Sequence, residues 1–138
     1  MLRFLGKSVM NDADLNALAE KWLAYCRAPE GQRGSSIDEW SLVREKPERA
    51  WQLILEILRR DNSSNVLENL SAGMLEDLLV YHRNMMIDRV EAEARSNPLF
   101  AKLLGGVWRN DMAEEIWVRV QRAWDRRGWD GIPEDWHH

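Results

Sequence analysis

Four side chains near the middle of the chain carry the groups that acid–base or metal chemistry uses: Glu76, Asp77, His82 and Asp88. Carboxylates and an imidazole on neighbouring helices can hold a metal or move a proton. Here the spacing offers neither Glu-x-x-His nor His-x-x-x-His, and His82 is the only histidine before the closing pair His137-His138. The expectation is therefore no metal, no cofactor and no catalytic residue. Glu76 then reads as a capping carboxylate, Asp77 as a solvated acid, and His82 as a core-edge imidazole hydrogen-bonded to backbone. A polar binding pocket built from the same residues is the alternative. Ser35-Ser36 and Cys26 have no histidine at a useful position, so nucleophilic catalysis is not expected. Gly105-Gly106 lacks a preceding strand and a Gly-Lys-Ser/Thr sequence, so it is not read as a phosphate loop.

Tryptophan is the second chemical feature. Trp22, Trp51, Trp117 and Trp124 fall on helical stripes and are expected in the core. Trp40, Trp108, Trp129 and Trp136 fall in short or irregular segments, where the ring either packs or anchors a partner. Trp108 follows two glycines and has two fates. Folded inward, it would lie under the central helix near Leu78 and His82. Turned outward, it would gain an acidic rim from Asp111, Glu114 and Glu115, suited to a basic partner. Arg119, Arg122, Arg126 and Arg127 make a basic face late in the chain, interleaved with acids. It reads as a solvated ion-pair face rather than a phosphate site.

The elements that must position these groups are all helices. The central stretch runs from Ser71 to His82. With Gly73 as N-cap, Glu76 falls on the third helical position, and Leu75, Leu78, Leu79 and His82 share one face. Before it, Leu15, Leu18, Ala19, Trp22 and Cys26 form a stripe, with Cys26 as a buried small hydrophobe. Pro29, Gly31 and Gly34 mark a loop, and Ser36 to Glu39 fits a capping box. Pro47 opens a helix whose polar residues Arg49, Gln52, Glu56 and Arg59 form one narrow stripe, so it should be the most buried element. Asn65 with Glu68 can cap a short helix toward Leu70. After the central stretch, Asn84 can cap a helix carrying a Glu91–Arg95 pair, and Asn97-Pro98 opens another that Gly105-Gly106 stops. Asp111 and Glu114 are expected to cap the last long helix, with Trp124 on its stripe and Gly128 at its end. No period-2 run marks a strand.

Composition bounds the function. The 138 residues predict one domain over 1–138, with a flexible start over 1–10 and a flexible tail over 129–138. A net charge of −4 disfavours a general nucleic-acid binder. One cysteine permits no internal disulfide, and no apolar run approaches the ~20 residues that span a bilayer. A cytoplasmic location is the default expectation, with no membrane and no nucleic-acid partner.

A resemblance adds to this reading. From about Pro47 to Val120, roughly half the chain, the sequence resembles a group of uncharacterised bacterial proteins grouped as a domain of unknown function. The residues that carry it are Glu48 and Trp51, Ala72-Gly73-Met74-Leu75-Glu76-Asp77-Leu78-Leu79, His82, Leu104, Val107-Trp108 and Trp117. A Pro in place of Met74 and a Gly in place of Arg83 would be closer to that pattern. The resemblance implies an all-helical fold and no known activity, and by setting Trp108 beside the core leucines it favours the inward fate.

The expected fold is all-α: six to eight short helices in antiparallel pairs, a HEAT-like stack or an orthogonal bundle. The expected function is protein binding, as an antitoxin-like or immunity-type inhibitor or an adaptor, with a protein partner of basic character. Its candidate residues are Glu76, Asp77, His82, Asp88, Trp40, Trp108, Glu114 and Glu115. The alternative is a small-molecule or metal-binding enzyme centred on Glu76, Asp77 and His82.

Overall fold

The structure is a computed structural model that describes residues 12–29, 31, 36–129 and 132. The expectations for the start over residues 1–10, for Trp136 and for His137-His138 lie outside the described residues. The fold is all-α: α1 (Asp12–Arg27), α2 (Glu39–Glu45), α3 (Pro47–Arg60), α4 (Ser64–Leu70), a π-helical turn (Ser71–Leu75), α5 (Glu76–Tyr81), α6 (Arg83–Ser96), α7 (Pro98–Leu104) and α8 (Glu114–Ala123). No strand occurs among the described residues, and none of their helices is long and apolar enough to cross a membrane. The chain forms two compact units, Met1–Asn69 and Leu70–His138.

In the first unit α3 packs against both α1 and α2. Pro47 occupies its first turn, where the missing N–H costs nothing. Ala50, Trp51, Leu53, Ile54, Ile57 and Leu58 are buried, as the narrow polar stripe predicts. Glu56 on that stripe pairs with Arg59 and Arg60 at 2.5 and 2.6 Å. From α1 come Ala19, Trp22, Leu23 and Cys26, all buried. The capping box expected from Ser36 and Glu39 does not form. Asp38 caps α2 instead, accepting the Ser41 N–H at 3.2 Å. Glu39 is drawn away by the Trp22 indole, whose Nε1 donates to its carboxylate at 2.7 Å. Asn65 is not a cap either, because α4 begins one residue earlier. Its amide donates to the Cys26 carbonyl at 2.9 Å and ties α4 to the end of α1. The Arg27–Asp61 pair at 2.7 Å ties the end of α3 to the same end of α1.

In the second unit α6 packs against α5, α7 and α8. The Asn97-Pro98 start of α7 forms as read, with the Asn97 side chain accepting the N–H groups of Leu99 and Phe100 at 3.1 and 3.4 Å. Three other boundaries differ from the sequence reading. Gly73 is no N-cap: Leu70 and Leu75, on either side of it, are both right-handed helical, and the turn between them is π-helical. Burial explains the continuity, since Ser71, Met74 and Leu75 are all buried and a chain break there would expose them. A π turn adds one residue within a helix and so re-aims the side chains that follow it. Asn84 caps nothing, because only His82 separates α5 from α6. The last helix starts behind Ala113 with no side-chain cap and ends at Ala123, so Asp111 is no cap and Trp124 lies past the end. Trp124 and Trp117 are half-buried rather than core, and meet edge to face with centroids 5.4 Å apart.

Candidate functional site

The site grows from the end of α7. Gly105 and Gly106 follow Leu104, and their N–H groups still bond back to Ala101 and Leu103 at 3.2 and 3.0 Å. Both must be glycine for lack of room. A Cβ on Gly105 would lie 2.5 Å from the Asp125 carbonyl oxygen, and one on Gly106 would lie 2.5 Å from both Ser71 Oγ and the Trp129 ring. Trp129, one of the tryptophans read as irregular, is thus seated on this corner, its indole N–H donating to the Lys102 carbonyl at 2.7 Å.

Beyond the glycines the chain bulges outward between two buried residues, Val107 and Met112. Trp108 is 64% exposed. This overturns the expected inward fate: the leucines of α5 are already fully buried, and Val107, the neighbour of Trp108, takes the inward position. Arg109, Asn110 and Asp111 are also exposed. Asn110 has φ +43°, a left-handed conformation that asparagine tolerates better than most residues.

The bulge is held from beneath by Glu76, only 7% exposed. Its Oε1 accepts the Trp108 backbone N–H at 3.2 Å, and its Oε2 accepts the Asn110 side-chain amide. Glu76 is therefore not the capping carboxylate that the sequence suggests. Its own backbone N–H already bonds to the Ser71 and Gly73 carbonyls in the preceding π turn. A carboxylate with no open helix start to serve is available to another segment.

The remaining candidates disperse. Asp77 and His82 are half-buried, and each is engaged with a partner. Asp88 lies at the surface and pairs with Arg119 at 2.7 Å. The expected Glu91–Arg95 pair is replaced by Glu91 with Arg119, in two bonds of 2.8 and 2.5 Å. These bonds hold the Glu91 carboxyl below its usual range and push the Arg119 guanidinium further up. Among the described residues no three of His, Cys, Asp and Glu converge as a ligand set. Glu114 and Glu115 are exposed at the start of α8, where Glu114 pairs with Arg109 at 2.8 Å. In the first unit Trp40 is 60% exposed on α2, with the Arg44 guanidinium 4.1 Å above its ring. Arg109 and Asn110 were not among the residues expected at the site. The signal available for Asn110 was an asparagine, a residue type that favours turns, in the short polar run Arg109-Asn110-Asp111.

The pattern of a family described as a family of unknown function, DUF6869, matches residues 32–128 and so takes in both Glu76 and the Trp108 bulge. No curated protein and no solved structure matches the chain.

Proposed function

The chain belongs to DUF6869, a family of unknown function, and from that premise we propose that it acts by binding another protein, with Trp108 as the anchor. The observation that carries this reading is a large aromatic 64% exposed on a bulge that the buried Glu76 pins at two points. A pinned loop loses little conformational entropy on binding, and tryptophan is the residue type most enriched among binding hot spots. Asp111, Glu114 and Glu115 are exposed within seven residues of Trp108 along the chain, and of these three carboxylates Glu114 pairs with the Arg109 guanidinium. That balance selects a basic segment on the partner and speeds its approach at low salt. A chain of 138 residues with net charge −4 suits an inhibitor that masks a basic protein, in the manner of an antitoxin or immunity protein, or an adaptor. The enzyme alternative draws no support from the centre assigned to it, because both oxygens of Glu76 serve the bulge.

The test pairs a partner screen with one substitution. A partner captured from the native host is titrated against the wild-type chain and Trp108→Ala. Binding should weaken by about 2 kcal/mol or more, while stability changes by less than about 0.5 kcal/mol, as for an exposed position. Reversing Glu114 and Glu115 to Lys should slow association. Equal affinity of the two chains, or a Trp108→Ala chain that melts early, removes Trp108 as the anchor.

A further inference from the structure

A second site lies apart from the Trp108 bulge, between α6 and α8. There Glu91, Ala94, Arg95, Arg119, Arg122 and Ala123 line an open groove of about 310 Å³. Ala94 and Ala123 are small enough to leave the space, and three guanidinium groups border it. Arg119 is fixed in place. Its Nε and Nη2 donate to Glu91, and Nη2 donates also to Asp88. Those bonds leave Nη1 with no acceptor among the described residues. Arg95 and Arg122 are exposed and make no hydrogen bond among the described residues, Arg95 acting on Glu91 through charge alone. The one carboxylate in the groove, Glu91, has both oxygens on Arg119. Nearly all the donor capacity that remains is therefore cationic and unspent.

From this arrangement we infer that the groove is a binding site for a phosphate monoester dianion. Stoichiometry of donors decides between the two common anions. A carboxylate offers two coplanar oxygens and one charge, which a single guanidinium fork satisfies. A phosphate monoester offers three oxygens and nearly two charges. It can use the Nη1 group of Arg119 together with Arg95 and Arg122. A groove of this size, at the lower end for ligand sites, suits a small group. Arginine clusters of this kind are a recurrent means of reading phosphorylated groups. The inference does not depend on the protein-binding role of Trp108.

The test is calorimetric titration of the full chain at constant ionic strength with inorganic phosphate, O-phosphoserine and succinate. Inorganic phosphate should bind saturably with a dissociation constant on the order of 1 mM. The O-phosphoserine arm separates the sources: tighter binding than phosphate indicates a phosphorylated side chain, and equal binding a free phosphate or small ester. Succinate should bind at least about tenfold more weakly than phosphate. The double variant Arg95→Gln, Arg122→Gln should lose at least about tenfold in phosphate affinity, while Arg109→Gln at the Trp108 bulge leaves it unchanged. Should the double variant fail to fold, Arg122→Lys alone, which keeps the charge and loses the fork, is read for the same weakening. Absence of saturable binding, succinate as tight as phosphate, or an unaltered affinity in the variants overturns the site. A loss of partner binding in Trp108→Ala bears only on the other surface.

Discussion

Glu76 shows how one buried polar group sets the shape of a surface. Both its oxygens are engaged, one by a backbone N–H and one by the Asn110 amide. Glu76→Ala would leave both donors without their acceptor, and Trp108 and Asn110 would lose the point that fixes the bulge. We expect a loss of about 1–3 kcal/mol in chemical denaturation, the worth of part-buried hydrogen bonds to a charged acceptor. Glu76→Gln should lose less than half as much. Its amide oxygen can still accept the Trp108 N–H, and the Asn110 amide can turn to accept from its nitrogen. A neutral Glu76→Ala would mean that the bulge holds its form without the clamp.

At the scale of the element, α3 is the clearest case in which a helix follows from its pattern. Its start at Pro47, its end at Arg60 and its six buried residues all agree with the single polar stripe. Ile54→Ala or Leu58→Ala should cost about 2–5 kcal/mol through lost packing and the cavity left behind. Gln52→Ala, on the half-exposed stripe, should cost less than about 0.5 kcal/mol. Equal costs at the two kinds of position would show that the helix packs on a different face. The helix starts at α2, α4, α6 and α8 were harder to read. Each carries a plausible capping residue, but Glu39 is taken by Trp22, Asn65 by the Cys26 carbonyl and Glu114 by Arg109, while Asn84 falls inside α6. A cap competes with every other donor or acceptor that packing brings within reach.

At the scale of the whole molecule, acid should weaken both units by the same route. Hydrogen bonds from Arg59 and then Arg60 lower the pKa of Glu56, the Ser63 backbone N–H and then Arg27 lower that of Asp61, and Arg119 lowers that of Glu91. Each folded-state pKa is below its unfolded value. The stability these groups contribute is therefore complete above the unfolded pKa and is lost as pH falls through the folded one. The melting midpoint should stay level from about pH 7 to pH 5 and drop below about pH 4.5. The drop should be shallow, because the arginine partners are solvent-screened. It should flatten further in a Glu56→Gln, Asp61→Asn, Glu91→Gln variant; a midpoint that is level down to about pH 3 would contradict the account. The amino-acid sequence by itself determined the helical class, the inward face of α3, the Asn97-Pro98 start and the burial of Cys26. Those depend on a 3.6-residue period or on partners within four positions, and both are written locally in the chain. Tertiary structure decided which polar groups meet. Glu76 finds its donors 32 and 34 residues away, Glu91 its arginine 28 away, and Trp22 its carboxylate 17 away. It also decided the outward turn of Trp108, because the glycine corner, fixed by the close approach of Ser71, Asp125 and Trp129, buries Val107 and leaves the next side chain exposed.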